Sequence, residues 1–395
     1  MNTYFLPNKN EQDLIQIIQK YCRNEFTLIR LTQTMLEKSI IDASEALRII
    51  LRESGVADFS RIQQGTSNKV FVNSHLILKD NVHEIRTSLY RPQSKNGDPR
   101  IWFYNSKKIL ATGDLLYLTV YNNHIIVIPL KNNDMFESDL ISYFGINEKD
   151  DLVLNELQEK LSVLKSLGWI ESVSPLRSYS KDVGDTLEKY LGIKPNSLVS
   201  ADYKGQIELK CKRIKGSNPD TLFSMVPNWD ISSLKSSTDI MLKYGYSSKK
   251  YEGFQDLYIT VGNLPNRQGL FMVNDDNEQL LLQKSLLNNQ IEEVCSWKYD
   301  EVKKRLIEKH PKTCWILADE AIIEGKIHFK YLSVQLSQRP IFSQFTTLIG
   351  QGIVTYDWRG RVKLDRTGYK DKGHCFRMSS KNRKLLFGDV KDLSI

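Results

Sequence analysis

The stretch Asp202-Tyr203-Lys204-Gly205-Gln206-Ile207-Glu208-Leu209-Lys210-Cys211-Lys212 combines a tight turn with a strictly alternating run of apolar and charged residues. Gly205 supplies the backbone freedom that a tight reversal requires. After the turn, one side of the predicted strand carries Ile207, Leu209 and Cys211, and the other side carries Glu208 and Lys210. The sequence therefore predicts a strand whose apolar face packs on a core. Its other face presents a carboxylate beside an ammonium, with Asp202 at the mouth of the same turn.

These residue types suit metal-dependent hydrolysis of a phosphodiester. The carboxylates of Asp202, Glu208 and Glu188, the last on a predicted short helix before the turn, are the oxygen ligands that Mg²⁺ prefers. A bound Mg²⁺ lowers the pKa of a water and neutralises phosphoryl charge, and Lys210 would orient that water or stabilise developing negative charge. The pattern is short and the chain is 26% charged, so Glu208 and Lys210 also fit an ordinary solvated strand face.

Longer runs around this pattern resemble the MvaI/BcnI restriction endonuclease family, and they are similar to the mismatch-repair nickase MutH; both have the PD-(D/E)xK nuclease fold. The runs are Gly184 to Ile193 and Asp202 to Arg213, and thirteen residues separate Glu188 from Asp202, as in the family. Pro219 to Ser224 with Pro227, Gly373 to Met378, and Leu385 to Phe387 resemble later family segments, so the resemblance covers about residues 150–395. The family reads Asp-His-Gly before a Phe-Arg pair, whereas this chain reads Asp371-Lys372-Gly373-His374.

The resemblance implies an α/β (α+β) fold with a mixed sheet flanked by helices. It implies a type II enzyme that cuts double-stranded DNA with Mg²⁺, at a short G·C-rich site related to CC-N-GG. The implied catalytic residues are Glu188, Asp202, Glu208 and Lys210, and the implied metal ligands are the three carboxylates. A monomer and a cognate DNA methyltransferase in the same cell are also implied. A MutH-like nickase that depends on protein partners, and a DNA-binding regulator on an inactive nuclease scaffold, stay open as alternatives.

The charge distribution points to a polyanionic partner. The net charge is +8, and residues 331–395 hold 12 Lys and Arg against 5 Asp and Glu, so this segment contributes +7. Such an excess is an electrostatic footprint for nucleic acid. Gly360 predicts a sharp loop that would insert its two neighbouring arginines into a DNA groove, while Arg377 could instead be paired internally. The candidate DNA-binding residues are Arg359, Arg361, Arg366, Lys372, His374 and Arg377.

Residues 1–140 have a pattern of their own and predict a helical and β-rich accessory domain. Residues 10–65 look helical and fit either a small bundle or a helix-turn-helix, and residues 68–131 look like strands. A polar connector is predicted at 132–150. Basic residues near the predicted turns could meet phosphates or only solvate loops; they are Arg86, Arg91, Lys95, Arg100, Lys107 and Lys108. The domain could contact DNA and regulate cutting, or it could only shield the nuclease core.

Several other classes of protein lack support in the sequence. No apolar run of membrane-spanning length occurs, and the first residues do not resemble a signal peptide. The five cysteines are scattered without a Cys-x-x-Cys pair, which argues against a disulfide framework or a zinc site and favours a reducing cytoplasm. No nucleotide-binding P-loop and no Gly-x-Ser-x-Gly occur. His310, just before Pro311, is expected to be a cation at a helix end.

Overall fold

The structure, a computed structural model, describes residues 7–79, 81–131, 137–145, 152–194, 200–275, 278–388 and 390–395. The chain divides into two compact units. Unit 1 comprises residues 1–148 together with Ile341–Thr347, and unit 2 comprises Lys149–Pro340 together with Leu348–Ile395. The sequence predicts a single domain boundary between residues 140 and 150. It does not predict that Ile341–Thr347 returns to unit 1.

Unit 1 contains a seven-stranded sheet of described residues in the order β1-β6-β7-β3-β4-β5-β2. All neighbouring strands are antiparallel except β3 and β7, which are parallel. The strands are β1 (Phe26–Arg30), β2 (Ile41–Asp42), β3 (Val70–Leu78), β4 (Asn81–Tyr90), β5 (Arg100–Phe103), β6 (Leu115–Tyr121) and β7 (His124–Pro129). The helices are α1 (Lys9–Tyr21), α2 (Gln33–Lys38), α3 (Glu45–Glu53) and α4 (Glu137–Phe144).

Both faces of this sheet are covered, because alternate residues of its central strands belong to two different cores. On β6, Leu116 and Leu118 pack with residues of α3, whereas Leu115 and Tyr117 pack with residues of α1 and α4. The prediction that residues 10–65 form a helical bundle or a helix-turn-helix is therefore wrong. Strand β1 interrupts the helical region, and α3 buries its apolar face against the sheet rather than against α2.

The predicted polar connector at 132–150 contains helix α4, and its positions 132–136 and 146–150 lie outside the described residues. A two-residue turn joins β6 to β7, with Asn122 and Asn123 both in the left-handed region at φ 49° and 63°. That conformation suits the two-residue turns that join antiparallel strands.

Unit 2 is built around a mixed sheet in the order β21-β17-β16-β9, with β8 also paired to β17. β9 runs parallel to β16, and β17 runs antiparallel to it. Helices α5 and α6 pack one face of this sheet through Leu157, Leu161 and Leu187. The predicted mixed sheet flanked by helices is confirmed. These elements are α5 (Leu152–Ser166), β8 (Ile170–Glu171), α6 (Asp182–Tyr190), β9 (Glu208–Arg213), β16 (Lys312–Ile323), β17 (Lys326–Gln338) and β21 (Val390–Leu393).

Two further sheets complete unit 2. One has the order β10-β20-β18-β12-β11, with β19 beside β18, and the other has the order β13-β14-β15. Their strands are β10 (Asp220–Ser224), β11 (Tyr246–Ser247), β12 (Phe254–Val261), β13 (Leu270–Asp275), β14 (Leu280–Leu287), β15 (Gln290–Lys298), β18 (Val354–Lys363), β19 (Lys370–Asp371) and β20 (Cys375–Met378). The remaining helices are α7 (Ser237–Tyr244), α8 (Tyr299–Lys309), α9 (Phe342–Gly350) and α10 (Arg383–Phe387).

Helix α9 begins in the segment that belongs to unit 1. The carboxylate of Glu25 accepts hydrogen bonds from the backbone N–H groups of Phe342 (3.2 Å) and Ser343 (3.0 Å). These are N–H groups at the start of a helix, which have no partner within the helix. Ile341 is buried in the same core as Phe26 and Tyr117, so unit 1 holds this segment both by capping and by packing.

No helix in the described part of the chain has the length and apolar character to cross a membrane. The cysteines at positions 22, 211, 295, 314 and 375 are all free thiols.

Candidate active site

The predicted turn and strand lie where the sequence placed them. Lys204 (φ 53°) and Gly205 (φ 69°) are both in the left-handed region and reverse the chain between the bridged positions Tyr203 and Ile207. Ile207 then packs into the core of the mixed sheet. The opposite face of β9 is not solvated, however, because the side chain of Glu208 is only 1% exposed. A carboxylate is rarely buried so completely unless charged or polar partners surround it.

Asp202, Glu208 and Lys210 come together at the start of β9. The Lys210 ammonium lies 2.6 Å from Glu208 Oε1. Asp202 is held from the other side, since its Oδ2 accepts a hydrogen bond of 3.1 Å from the backbone N–H of Leu209. Two of the predicted carboxylates and the predicted lysine are therefore neighbours, and the backbone of the strand itself fixes the position of Asp202.

A second lysine, Lys309, completes this cluster and was not singled out in the sequence. Its Nζ lies 2.8 Å from Glu208 Oε2 and 3.1 Å from Asp202 Oδ1, and its side chain is only 16% exposed. Lys309 is the last residue of α8, and four residues later Thr313 of β16 pairs with Glu208. The parallel pairing of β16 with β9 thus brings the end of α8 to the carboxylates.

Glu188 lies on α6, as predicted, and is half-buried. Among the described residues, no three His, Cys, Asp or Glu side chains form a group that would hold a metal ion. Glu188 therefore does not complete a three-carboxylate group with Asp202 and Glu208. Their charge nevertheless affects Glu188. Burial raises the pKa of Glu188 most, and the carboxylates of Asp202, Asp185 and Glu208 raise it further.

Burial and the neighbouring carboxylates both raise the pKa of Asp202 and that of Glu188. Burial, followed by the charge of Glu208, raises the pKa of Asp202, and Lys309 only partly offsets the rise. For Lys309 burial acts to lower the pKa, but the attraction of Glu208 and Asp202 outweighs it and the pKa is raised. Closely spaced carboxylates favour any additional cation that can reach them. The cluster is therefore suited to a cation and to the negative oxygens of a substrate that accompanies it.

The buried His310 has a different role from the one predicted. Its Nδ1 is paired with Thr313 Oγ1 (2.8 Å), and its Nε2 donates to the carbonyl of Leu222 (2.7 Å). Burial, followed by the nearby charge of Lys210, lowers its pKa to about 3. The prediction of a helix-end cation is wrong, because the imidazole is enclosed next to two lysines and stays neutral.

Candidate DNA-binding surface

The predicted loop at Gly360 is wrong, since residues 354–363 form strand β18 in the interior of a sheet. A Cβ on Gly360 would lie 2.2 Å from Met241 Cε and 3.0 Å from the carbonyl oxygen of Lys370. The glycine therefore permits close packing of α7 and β19 on β18 rather than a sharp turn. Arg359 and Arg361 are two residues apart on this strand and so project from the same face.

That outward face combines arginine with aromatic rings. Arg359 stands opposite the exposed Tyr258 of β12, and the Arg361 guanidinium lies 3.6 Å from the centre of the Tyr251 ring. Lys372 is exposed and its ammonium lies 6.0 Å from the Tyr258 ring. Both arginines are half-buried, so their guanidinium groups are held in position by the sheet and its aromatic neighbours.

The other three predicted DNA-binding residues have different surroundings. Arg366 is exposed and forms an ion pair with Asp239. Arg377 donates to Asp357 Oδ2 (2.8 Å) and to the carbonyl of Pro219 (2.7 Å), so it is paired internally, which was the alternative weighed for it.

His374 is 2% exposed and cannot contact DNA as predicted. Its ring packs on Trp358, and its Nδ1 accepts the backbone N–H of Arg359 at 3.0 Å. Burial lowers its pKa to about 4. A neutral His374 thus acts as a hydrogen-bond acceptor that fixes the backbone at Arg359.

Three comparisons place these observations among known proteins. The model of the MvaI/BcnI restriction endonuclease family matches residues 158–387, a range that contains every predicted site residue. A solved complex of restriction endonuclease MvaI with its cognate DNA substrate aligns with a TM-score of 0.54 at 21% identity, covering 62% of this chain and 99% of MvaI. MvaI in the absence of DNA aligns at 20% identity with a TM-score of 0.41, covering 63% of this chain and 100% of MvaI. No curated protein sequence matches the chain.

Proposed function

The chain belongs to the MvaI/BcnI restriction endonuclease family, and on that premise we propose that it hydrolyses phosphodiester bonds of double-stranded DNA at a specific site with Mg²⁺. The observation that carries the proposal is the buried cluster in which Asp202, Glu208 and Lys210 meet. A duplex as the substrate is supported by the solved MvaI complex, which contains cognate DNA, and by the basic segment 331–395.

The chemistry of the donors fits a hard divalent cation. Asp202 and Glu208 offer carboxylate oxygens, which Mg²⁺ prefers, and a cation beside Asp202 would offset the burial and the charge of Glu208, which together raise its pKa. When bound, Mg²⁺ would neutralise phosphoryl charge and supply an activated water. The Lys309 ammonium bridges the two carboxylates and would therefore compete with a cation for their oxygens.

The residues of the chain supply orientation and charge for this reaction. Glu208 is enclosed and holds the Lys210 ammonium, which is 25% exposed and can therefore reach a water or a phosphoryl oxygen. A lysine placed there stabilises negative charge that develops in the transition state. The Leu209 N–H fixes Asp202, and we propose that Glu188, whose pKa is raised, assists through a water or a second cation.

Incubation of the purified protein with plasmid and Mg²⁺ tests the proposal directly. We expect discrete linear fragments, and we expect Asp202→Ala, Glu208→Gln and Lys210→Ala each to cut at least ~10²-fold more slowly, as for a lost transition-state donor. Binding of target DNA should stay close to that of the parent protein, and Glu188→Ala should be milder. Nicked circles would instead support a MutH-like nickase. Specific binding without any cutting would support a regulator on an inactive scaffold, and cutting by Asp202→Ala at the parental rate would refute the assigned site.

We propose that Arg359 and Arg361 read base pairs, since arginine pairs bidentately with guanine and both guanidinium groups lie on one outward face. This fits a G·C-rich target related to CC-N-GG. Action as a monomer, with a cognate DNA methyltransferase in the same cell, is part of the same proposal. Sequencing of the cleaved ends tests the target. Sedimentation tests the monomer.

We also propose that unit 1 contacts DNA and extends or regulates recognition. Residues 1–150 carry 18 Lys and Arg against 17 Asp and Glu. Because this segment is nearly neutral, it would bind DNA through a specific site rather than through non-specific electrostatic attraction to the phosphates. The measurement is the site preference of the full chain on a library of flanking sequences, compared with that of variants of unit 1. Identical preferences would leave unit 1 without a role in DNA recognition.

A further inference from the structure

Unit 1 contains a cavity of about 540 Å³ that has no part in the nuclease site. Its volume lies within the roughly 300–1,000 Å³ of small-molecule sites. The lining combines four lysines with three aromatic rings and contains no Asp or Glu among its described residues. The lining residues are Lys38, Ser39, Ile40, Lys69, Ser88, Tyr90, Trp102, Tyr104, Asn105, Lys107 and Lys108.

The sheet places the aromatic rings and one hydroxyl on the same wall. Ser88 of β4 pairs directly with Trp102 of β5, and Tyr90 lies two residues further along β4, so it points to the same side. Tyr104 follows at the end of β5, and its ring lies 6.2 Å from that of Phe71. Phe71 is 42% exposed and carries the Arg86 guanidinium 3.6 Å above its ring, so the aromatic surface continues beyond the cavity.

The lysines come from separate elements and converge on this wall. Lys107 and Lys108 follow β5 on a short 3₁₀ turn that Ser106 anchors by donating to the carbonyl of Phe103 (2.7 Å). The Lys107 ammonium donates to the carbonyl of Glu37 (3.1 Å) and lies 5.7 Å from the Trp102 ring. Lys69 lies 4.8 Å from the Tyr90 ring. The lysine ammonium groups thus lie beside the aromatic rings of the wall. A ligand whose flat ring stacks on this wall could place an attached anionic group among the lysines.

Ser88 adds an independent sign of a ligand. It is 1% exposed, and its hydroxyl oxygen has no hydrogen-bond partner among the described residues. A buried polar group without a partner costs free energy unless something else satisfies it. Because Ser88 lines the cavity, a polar atom of a ligand in the cavity would satisfy it.

We propose that this cavity binds a nucleotide, with the base against the aromatic wall, its polar edge at Ser88, and the phosphate among the lysines. Stacking on aromatic side chains is how proteins hold unpaired bases, and lysines supply phosphate contacts. The nucleotide is either a free mononucleotide or one that is unpaired within DNA. The residues that line the cavity belong to unit 1 and the proposed nuclease residues belong to unit 2, so this proposal does not depend on the function proposed for the nuclease residues.

The test measures binding by the full chain in EDTA, where cutting is not involved. The ligands are a labelled duplex with one unpaired thymidine opposite an abasic position, the same duplex fully paired, and thymidine monophosphate as competitor. We expect tighter binding of the duplex with the unpaired nucleotide. Tyr104→Ala should weaken that binding by roughly 5- to 150-fold, the range of one lost base stack, and should leave the paired duplex unaffected.

Matched variants separate the site from general effects. Tyr104→Phe keeps the ring and should bind like the parent. Lys107→Glu should weaken binding more than Lys9→Glu, an exposed lysine outside the cavity. Ser88→Ala should weaken binding while raising the thermal unfolding midpoint of the ligand-free protein, because it removes a buried hydroxyl that has no partner among the described residues.

Two outcomes support the proposal and distinguish the sources. Competition by thymidine monophosphate, with the same dependence on Tyr104 and Lys107, identifies a free nucleotide. Preference for the unpaired thymidine without such competition identifies a nucleotide within DNA. Equal binding of the two duplexes with no mononucleotide binding overturns the proposal, as does a Tyr104→Ala variant that binds both duplexes and the mononucleotide like Tyr104→Phe.

Discussion

Lys309 predicts a measurable link between the stability of unit 2 and Mg²⁺, and its replacement by methionine tests that link. Its ammonium lies 2.8 Å from Glu208 Oε2, and unit charges at that distance attract by about 6 kcal/mol at an effective dielectric constant of about 20. Taking Lys309 out of water costs several kcal/mol, and removal of one partner from a buried pair typically costs ~3–5 kcal/mol. Lys210 stays 2.6 Å from the other carboxylate oxygen, so we expect Lys309→Met to destabilise the metal-free protein by ~2–4 kcal/mol.

The assay is urea unfolding in EDTA, followed by tryptophan fluorescence. Five of the six tryptophans belong to unit 2, so the signal reports mainly on the unit that contains the cluster. Lys304→Met is the matched control, because Lys304 lies on the same helix and pairs with Glu308 at 3.9 Å on the surface. A surface pair contributes at most ~1 kcal/mol, so the control should unfold almost like the parent.

The effect of Mg²⁺ on stability then shows whether Lys309 has only a structural role or also competes with a cation for the carboxylates. In the parent, a cation must displace the Lys309 ammonium from Asp202 or Glu208, whereas in Lys309→Met the carboxylates face no such competition. Added Mg²⁺ should therefore stabilise the variant more than the parent, and the variant should bind the cation more tightly. The reasoning is refuted if Lys309→Met is as stable as Lys304→Met in EDTA, or if Mg²⁺ stabilises the variant and the parent equally.

Three other predictions address the cutting reaction, base recognition and pH. Glu208→Gln should abolish plasmid cutting but keep the parental affinity for target DNA. A cutting assay and a gel-shift titration on the same preparation check this, and loss of both cutting and binding would contradict it. Arg359→Ala should lose ~1–3 kcal/mol of discrimination at one base pair, whereas Lys384→Ala should weaken binding to all DNA alike and lower the salt slope by about one; cleavage-site selection and salt titrations check both. Burial lowers the pKa of His310 to about 3 and that of His374 to about 4. As the pH drops below ~6.5, the unfolded chain therefore binds protons that the folded chain does not, and the free energy of unfolding falls. Each histidine should cost ~2 kcal/mol between pH 8 and pH 5, and ring NMR in which all six imidazoles titrate near pH 6.5 would contradict this.

The local part of the candidate site could be predicted because its signals are adjacent in sequence. The turn at Lys204 and Gly205 and the alternation of Ile207 with Glu208 need no knowledge of distant residues. Lys309 could not be found in this way, because it reaches Glu208 only through the parallel pairing of β16 with β9. Residues 299–308 predict a helix and residues 315–318 predict a strand, so Lys309 lies in the predicted link between them, and neither pattern indicates that this link meets Glu208.

Gly360 shows how the same residue type supports opposite interpretations. A glycine between two arginines suggests a flexible loop, but a glycine within a strand marks close approach of a neighbour. Here the neighbours are Met241 and the backbone of Lys370, both remote in sequence. His374 is similar, since nothing in its local sequence reveals that Trp358 and the N–H of Arg359 enclose it.

In unit 1 the strand-like pattern of residues 68–131 is confirmed, and it includes β4 despite the mixed composition of that strand, whereas β1 was not predicted. β1 lies inside a region of helical periodicity, and β4 carries His83, Glu84 and Arg86 among its apolar residues. Both owe their conformation to pairing with a partner strand, β6 for β1 and β3 for β4. Tertiary pairing of this kind overrides local propensity.

The return of Ile341–Thr347 to unit 1 has a consequence for biosynthesis. Domains generally fold in order of synthesis, at about 5–20 residues per second. Unit 1 cannot follow that rule completely, because almost two hundred residues separate its first part from the segment that fills its core at Ile341 and pairs with Glu25. For roughly 10–40 seconds of translation, the core of the nascent unit 1 lacks Ile341, and the Glu25 carboxylate lacks the helix N–H groups that it later binds. The incomplete apolar core is exposed to the ribosome surface and to chaperones during that time. Its last element is synthesised only after Asp202, Glu208, Lys210 and Lys309, so the residues proposed for catalysis are complete before the N-terminal unit is whole.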